Sequence, residues 1–179
     1  MPTVITHAAV PLLLGAAAGP RQVSRRRLAA GAVAAMLPDA DVIGFRWGIA
    51  YTDALGHRGA THSVAAALLL GLLAMAAHRW LRTTPWRALL FVGLAVLSHP
   101  LLDAMTDGGL GVAFFWPWDD HRYFLPWRPI LVSPIGAGFF SARGLETLES
   151  EVLWVWLPLA VVLGVVESAR RDWRPRMQE

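Results

Sequence analysis

The sequence predicts an all-α, polytopic membrane bundle of about five helices. Three of these are full spans and the first two form a short N-terminal hairpin. Three observations carry the prediction. Hydrophobic residues make up 55% of the 179, and the mean hydropathy is +0.45. Charged residues are only 16%, whereas water-soluble domains hold about a quarter. The apolar residues gather in long runs with arginine clusters between them, as in proteins whose spans and connections are sorted by a bilayer. The length suits one domain, residues 1–179. The chain has no cysteine, which excludes disulfides and thiolate metal sites. Net charge is +3 and every basic residue is arginine. Because these arginines punctuate apolar runs, they read as topology signals, and no nucleic-acid partner is expected.

The first apolar segment covers about 4–19. No basic residue precedes it, so it reads as a retained helix and not as a signal peptide. The second, 27–38, contains "RLAAGAVAAMLP"; about 12 residues make roughly 18 Å of helix, too short to cross unaided. Segments 62–81, 86–106 and 150–169 are each about 20 residues, enough for a hydrocarbon core near 30 Å.

Arginines then sort the connections. Arg21, Arg25, Arg26 and Arg27 lie between segments one and two. Arg79, Arg82 and Arg87 lie between three and four, and Arg170, Arg171, Arg174 and Arg176 follow segment five. These alternate regions are expected to face the cytoplasm, and the arginine-poor connections 39–61 and 107–149 the outside. The N-terminus is then expected outside and the C-terminus inside a membrane that the chain crosses several times.

On this topology, polar residues remote in sequence fall at one depth near the extracytoplasmic face. His7 is in the first turns of segment one, and Asp39 and Asp41 follow the outer end of segment two. His57 and His62 precede segment three, His99 and Asp103 occupy the outer half of segment four, and Glu151 opens segment five. His99 and Asp103 are four apart, hence on one helical face, and ionisable groups inside membrane helices mark functional sites. Pro100 removes a helix hydrogen bond beside His99. "PDAD" equally suits a helix stop, and Thr61 or Ser63 suits an N-cap. An N/O-only donor set fits zinc, manganese or iron better than calcium, as one or two ions.

The stretches "PTVITHAAVPLLLG", "LPDADVIGF", "HRGATHSVAAALLLG", "SHPLLDAMTDGGLGVAFFWPW" and "RYFLPWRPI" resemble, in order and over nearly the whole chain, the YdjM-like family. These are bacterial inner-membrane proteins described as metal-dependent hydrolases, distantly similar to zinc-dependent phospholipase C. The resemblance implies hydrolysis of a phosphoester, with His7, Asp39, His57, His62, His99 and Asp103 as metal ligands; Asp41 fits the "PDxD" block.

The expected activity is therefore a membrane-embedded phosphohydrolase or phosphodiesterase, with zinc the first choice of metal and a membrane lipid or other amphipathic phosphorylated compound as substrate. Asp41 and Glu151 are candidate proton acceptors. Arg58 is a candidate phosphate partner, assisted by Arg122, its alternative being a salt bridge to Asp39 or Asp53. Trp116, Trp118, Tyr123 and Trp127 suit an interfacial belt or a lid. Two competing readings are a protein whose metal is only structural and a His/Asp-lined transporter. Oligomeric state is left open.

Overall fold

In the computed structural model, which describes residues 1–173, the chain forms five helical rods. Among the described residues the only β pairing is two isolated bridges, Thr106 with Ile130 and Val112 with Tyr123. Arg174 and Arg176, counted above with the C-terminal basic cluster, lie outside the described residues.

Helix α1 runs Val4–Ala18; the Thr3 side chain accepts from Thr6 N–H at its start, and Gly19 closes its end with φ 82°, a conformation that suits glycine. Helix α2 spans Arg25–Met36, capped by the Ser24 side chain on Arg27 N–H. It continues through a 3₁₀ stretch, Leu37–Trp47. The combined rod, Arg25–Trp47, is 23 residues long and apolar enough to cross a membrane by length and composition. The short second segment expected from sequence is thus corrected. Pro38 sits in the first turn of the 3₁₀ stretch, where its missing N–H costs little, so it does not end the rod.

Helix α3 is Val64–Ala76, 13 residues, or about 20 Å. This is shorter than the expected 62–81, because the chain turns at 77–83, where Arg82 takes φ 54°. Its cap is Ser63, which accepts Ala66 N–H at 3.1 Å. Helix α4 is Pro85–Ala104 and carries Pro100 inside it. Helix α5 (Ala142–Glu151) passes through a π turn, Val152–Trp156, into α6 (Leu157–Trp173). The rods long and apolar enough to span are Arg25–Trp47, Pro85–Ala104 and Ala142–Arg170, while Val4–Ala18 and Val64–Ala76 are shorter apolar helices.

Small residues set the packing. A Cβ on Gly71 of α3 would lie 3.1 Å from the Leu89 carbonyl oxygen and 3.3 Å from Gly93 Cα of α4, so a larger residue there would push the two helices apart by a few tenths of an ångström. Close backbone approach is what associates helices in lipid, where burial of apolar surface drives little. Ala34, Ala67, Ala74, Ala88, Val92 and Val96 fill the α2–α3–α4 interface. Leu68, Leu69, Leu72, Leu94, Val161 and Val165 face outward, as a lipid-facing surface requires. At one end of the bundle, Arg27 donates to Thr83 Oγ1 at 2.6 Å and to the Gln22 carbonyl, and lies over the Phe91 ring. His7, His57, His62 and His99 gather at the other end with Asp39, Asp41 and Asp103.

Candidate metal centre

Four rods contribute to one buried cluster. His7 comes from the first turns of α1, Asp39 from the 3₁₀ extension of α2, and His62 from the loop just before α3. His99 and Asp103 come from the last turns of α4. His7, His62, His99 and Asp103 have no accessible surface, and Asp39 retains 5%. One ligand atom from each of Asp39, His62, His99 and Asp103 lies within 4.8 Å of all the others.

Hydrogen bonds behind two of the rings decide which nitrogen points inward. His99 Nδ1 lies 2.7 Å from the Ala35 carbonyl oxygen. A carbonyl can only accept, so Nδ1 carries the proton and Nε2 presents a lone pair to the cluster. Pro38 lacks the N–H that would be the 3₁₀ partner of that carbonyl. His62 Nδ1 lies 3.2 Å from Asp41 Oδ2 and 3.0 Å from Thr61 Oγ1, so its Nε2 also faces in. The two Nε2 atoms are 3.1 Å apart.

These nitrogens meet two carboxylates. Asp39 Oδ1 is 3.3 Å from His99 Nε2 and 3.7 Å from His62 Nε2. Asp103 Oδ2 is 3.2 Å from His62 Nε2 and 3.7 Å from His99 Nε2. Four donors at about 2.05 Å from a tetrahedral zinc stand about 3.3 Å apart, so the observed spacings fit one such ion. The other oxygens of the same carboxylates face His7. Its Nε2 is 3.9 Å from Asp39 Oδ2 and 3.7 Å from Asp103 Oδ1, and its ring stacks on His99 at 3.5 Å. The cluster thus has a tight four-donor niche and a wider three-donor niche, joined by both aspartates.

All four oxygens of Asp39 and Asp103, and both nitrogens of His7, are buried without a hydrogen-bond partner. Buried polar atoms are rarely left so, and two buried carboxylates without hydrogen bonds, with one arginine between them, are costly. A divalent cation removes that cost, so the residues present fit a metal. The local field points the same way. Burial opposes a charge on His62, yet contacts with Asp103, Asp39 and Asp41 outweigh it and push its pKa up to about 10.

Other expected site residues have different positions. His57 stands outside the inner ring. Its Nδ1 lies 2.7 Å from Asp41 Oδ1, and with Asp41 and the outer nitrogen of His62 it forms a second close His/Asp group. Asp41 also accepts from Thr61 Oγ1 at 2.7 Å. Three donors face this carboxylate, which orients His62 from behind; with His57 and His62 it is also a second set close enough to hold an ion.

Arg58 is fully buried. Its guanidinium donates to the Gly108 carbonyl and Thr106 Oγ1, both at 2.9 Å, and its Nε lies 3.4 Å from Asp103 Oδ2. A substrate phosphate cannot reach a fork committed in this way, and its acidic partner is Asp103, not Asp39 or Asp53. The seat depends on Gly109 (φ 91°), where a Cβ would fall 2.7 Å from Arg58 Nη1. Arg122 clamps loop carbonyls of His57, Tyr51 and Asp53.

Glu151 accepts from Thr3 N–H, Thr3 Oγ1 and Thr6 Oγ1 at 2.5–2.6 Å. It pins α5 to the start of α1 and is not a free proton acceptor. Thr3 and Thr6 escaped the sequence reading, although "PTVIT" before an apolar helix is a capping signal. His121 is exposed against Tyr123, and His78 meets the Thr83 carbonyl at the opposite end.

A family model described as YdjM inner membrane protein matches residues 1–173. The inner membrane protein YbcI of Escherichia coli (strain K12) is 46% identical over 173 residues, covering 96% of this chain and all of the relative. No solved structure matches. The chain belongs to the YdjM inner membrane protein family.

Proposed function

We propose that this member of the YdjM inner membrane protein family is a membrane-embedded metal-dependent hydrolase acting on a phosphoester of an amphipathic substrate. One observation carries the reading. The carboxylates that complete a four-donor niche also offer their second oxygens, with His7, as a three-donor niche. Closed four-donor sets characterise structural sites, and three-donor sets that leave a position open characterise catalytic ones.

Asp39, His62, His99 and Asp103 would hold one divalent ion, and His7 with both aspartates a second. A bound divalent metal supplies Lewis acidity and makes water nucleophilic near neutral pH. The protein's own residues do the rest. Asp41 and the Ala35 carbonyl fix the imidazole tautomers. Arg58 balances the charge of Asp103, and the surrounding helices exclude bulk water. Asp39, alone in the cluster in retaining accessible surface, marks the side from which water and substrate reach the centre. Arginines at the far ends of α2, α3 and α4 support an extracytoplasmic position for the cluster. The N/O donor set suits zinc first, then manganese or iron.

A structural-metal reading is favoured by the closeness of the four-donor niche to tetrahedral spacing. Turnover separates the two. Purified protein incubated with a panel of phospholipids and polyprenyl phosphates should release product, and stop when a chelator is added and resume when metal is restored. Bound metal with no turnover across the panel would leave the structural reading standing.

A further inference from the structure

Beside the cluster lies a cleft of about 280 Å³, at the small end of ligand-binding pockets. Its walls include Val4 and Ile5 of α1, Val42 of the 3₁₀ extension, and Ile135 and Phe139 of the turn that follows the long loop. The one charged side chain among its lining residues is Asp39. Asp39 is also the one member of the five-residue cluster with any accessible surface, and both its oxygens lack hydrogen-bond partners. The route from outside to the cluster therefore runs along an apolar trough and ends on a buried, unsatisfied carboxylate. The rim is apolar too, with Ile5 56% and Ile135 49% exposed, so an apolar chain can enter the trough without crossing a polar edge.

We infer that this cleft seats a hydrocarbon chain of the substrate, whose polar head is delivered to the cluster at Asp39. Nucleotides and peptides need donors and acceptors along their length; besides Asp39 and the Met1 amine, the polar groups of these walls are the Thr3 and Ser133 hydroxyls, which already donate to Glu151 and the Pro134 carbonyl. A methylene chain needs none. A lipid merely coating the protein would lie on a convex helix face such as that of Val161 and Val165, not in a concave seat ending on a carboxylate. The inference rests on the hydrolytic reading for the nature of the head, but not for the seat of the chain.

The test uses the full chain in phosphatidylcholine vesicles containing a phosphatidylethanolamine with a diazirine at its acyl terminus. Adducts mapped by mass spectrometry should concentrate on residues 4–5, 42 and 135–139. Ile135→Trp, which fills the cleft, should reduce those adducts severalfold while adducts on α6 persist; Val42→Trp serves if the first variant does not fold. In kinetics, either variant should lower the preference for long-chain over short-chain phosphoesters by about tenfold, the scale of losing a few methylene contacts. Adducts in the cleft without turnover of any phosphoester would remove the hydrolytic reading and keep the seat. Adducts spread evenly around the bundle, or unchanged chain-length preference in both variants, would overturn the seat.

Discussion

Replacing Asp41 by Asn separates two roles that a carboxylate beside a metal can play. Asp41 faces three donors: His57 Nδ1 at 2.7 Å, Thr61 Oγ1 at 2.7 Å and His62 Nδ1 at 3.2 Å. Asparagine keeps one acceptor oxygen and turns an NH₂ group toward the remaining donors. At least one of those contacts must break, and the tautomer of His62 is no longer fixed. Losing such a backing group costs about 10–100-fold in metal affinity, or about 1.4–2.7 kcal/mol. Loss of a true ligand costs more. Titrating metal into the purified protein against a chelator of known affinity measures the difference. Asp41→Asn should bind stoichiometrically with affinity reduced within that range, whereas His99→Ala should fail to retain metal through desalting. If Asp41→Asn behaves like His99→Ala, Asp41 is itself a ligand. If its affinity equals that of the parent, His62 is not oriented from behind.

Three further outcomes follow from the same geometry. Arg58→Met removes the guanidinium that pairs with buried Asp103, and breaking a buried pair from one side costs about 3–5 kcal/mol; the melting midpoint in detergent with chelator present should fall by many degrees, and an unchanged midpoint would contradict the pairing. Glu151→Gln turns an amide NH₂ toward the Thr3 and Thr6 donors and should cost about 1–3 kcal/mol of stability, with metal content unchanged; loss of metal would mean Glu151 belongs to the centre. Because the chain has no cysteine, single cysteines at Asp53 and Thr83 report topology cleanly. Asp53→Cys should react with an impermeant thiol reagent on intact cells and Thr83→Cys only after permeabilisation; reaction of both from one side would contradict the proposed orientation.

The convergence of His7, Asp39, His62, His99 and Asp103 was legible in the sequence because helices in a bilayer impose a common depth, so apolar run lengths serve as a ruler. Radial position was less legible. His57 and Asp41 stand at the right depth but lie behind His62, because loop and 3₁₀ geometry, not helical period, aims them. Arg58 reads like a phosphate ligand until Thr106, Gly108 and Gly109, some fifty residues away, close around it. Glu151 reads as a free carboxylate because its partners, Thr3 and Thr6, lie at the other end of the chain. Helix lengths shifted for a local reason. Pro38 looks like a stop but opens a 3₁₀ stretch, and the apolar run beyond Ala76 breaks into turns that let Thr83 meet Arg27. The Ala35 carbonyl, which sets the tautomer of His99, has no side-chain signature; its one hint is a proline three residues on.

The most direct measurement is elemental analysis of protein purified from native membranes without added metal, alongside a His99→Ala/Asp103→Ala variant shown by circular dichroism to keep its helices. The parent should carry at least one equivalent of a transition metal per chain through desalting and the variant almost none. A parent that emerges metal-free and takes up no zinc, manganese or iron on titration would mean these imidazoles and carboxylates satisfy only one another.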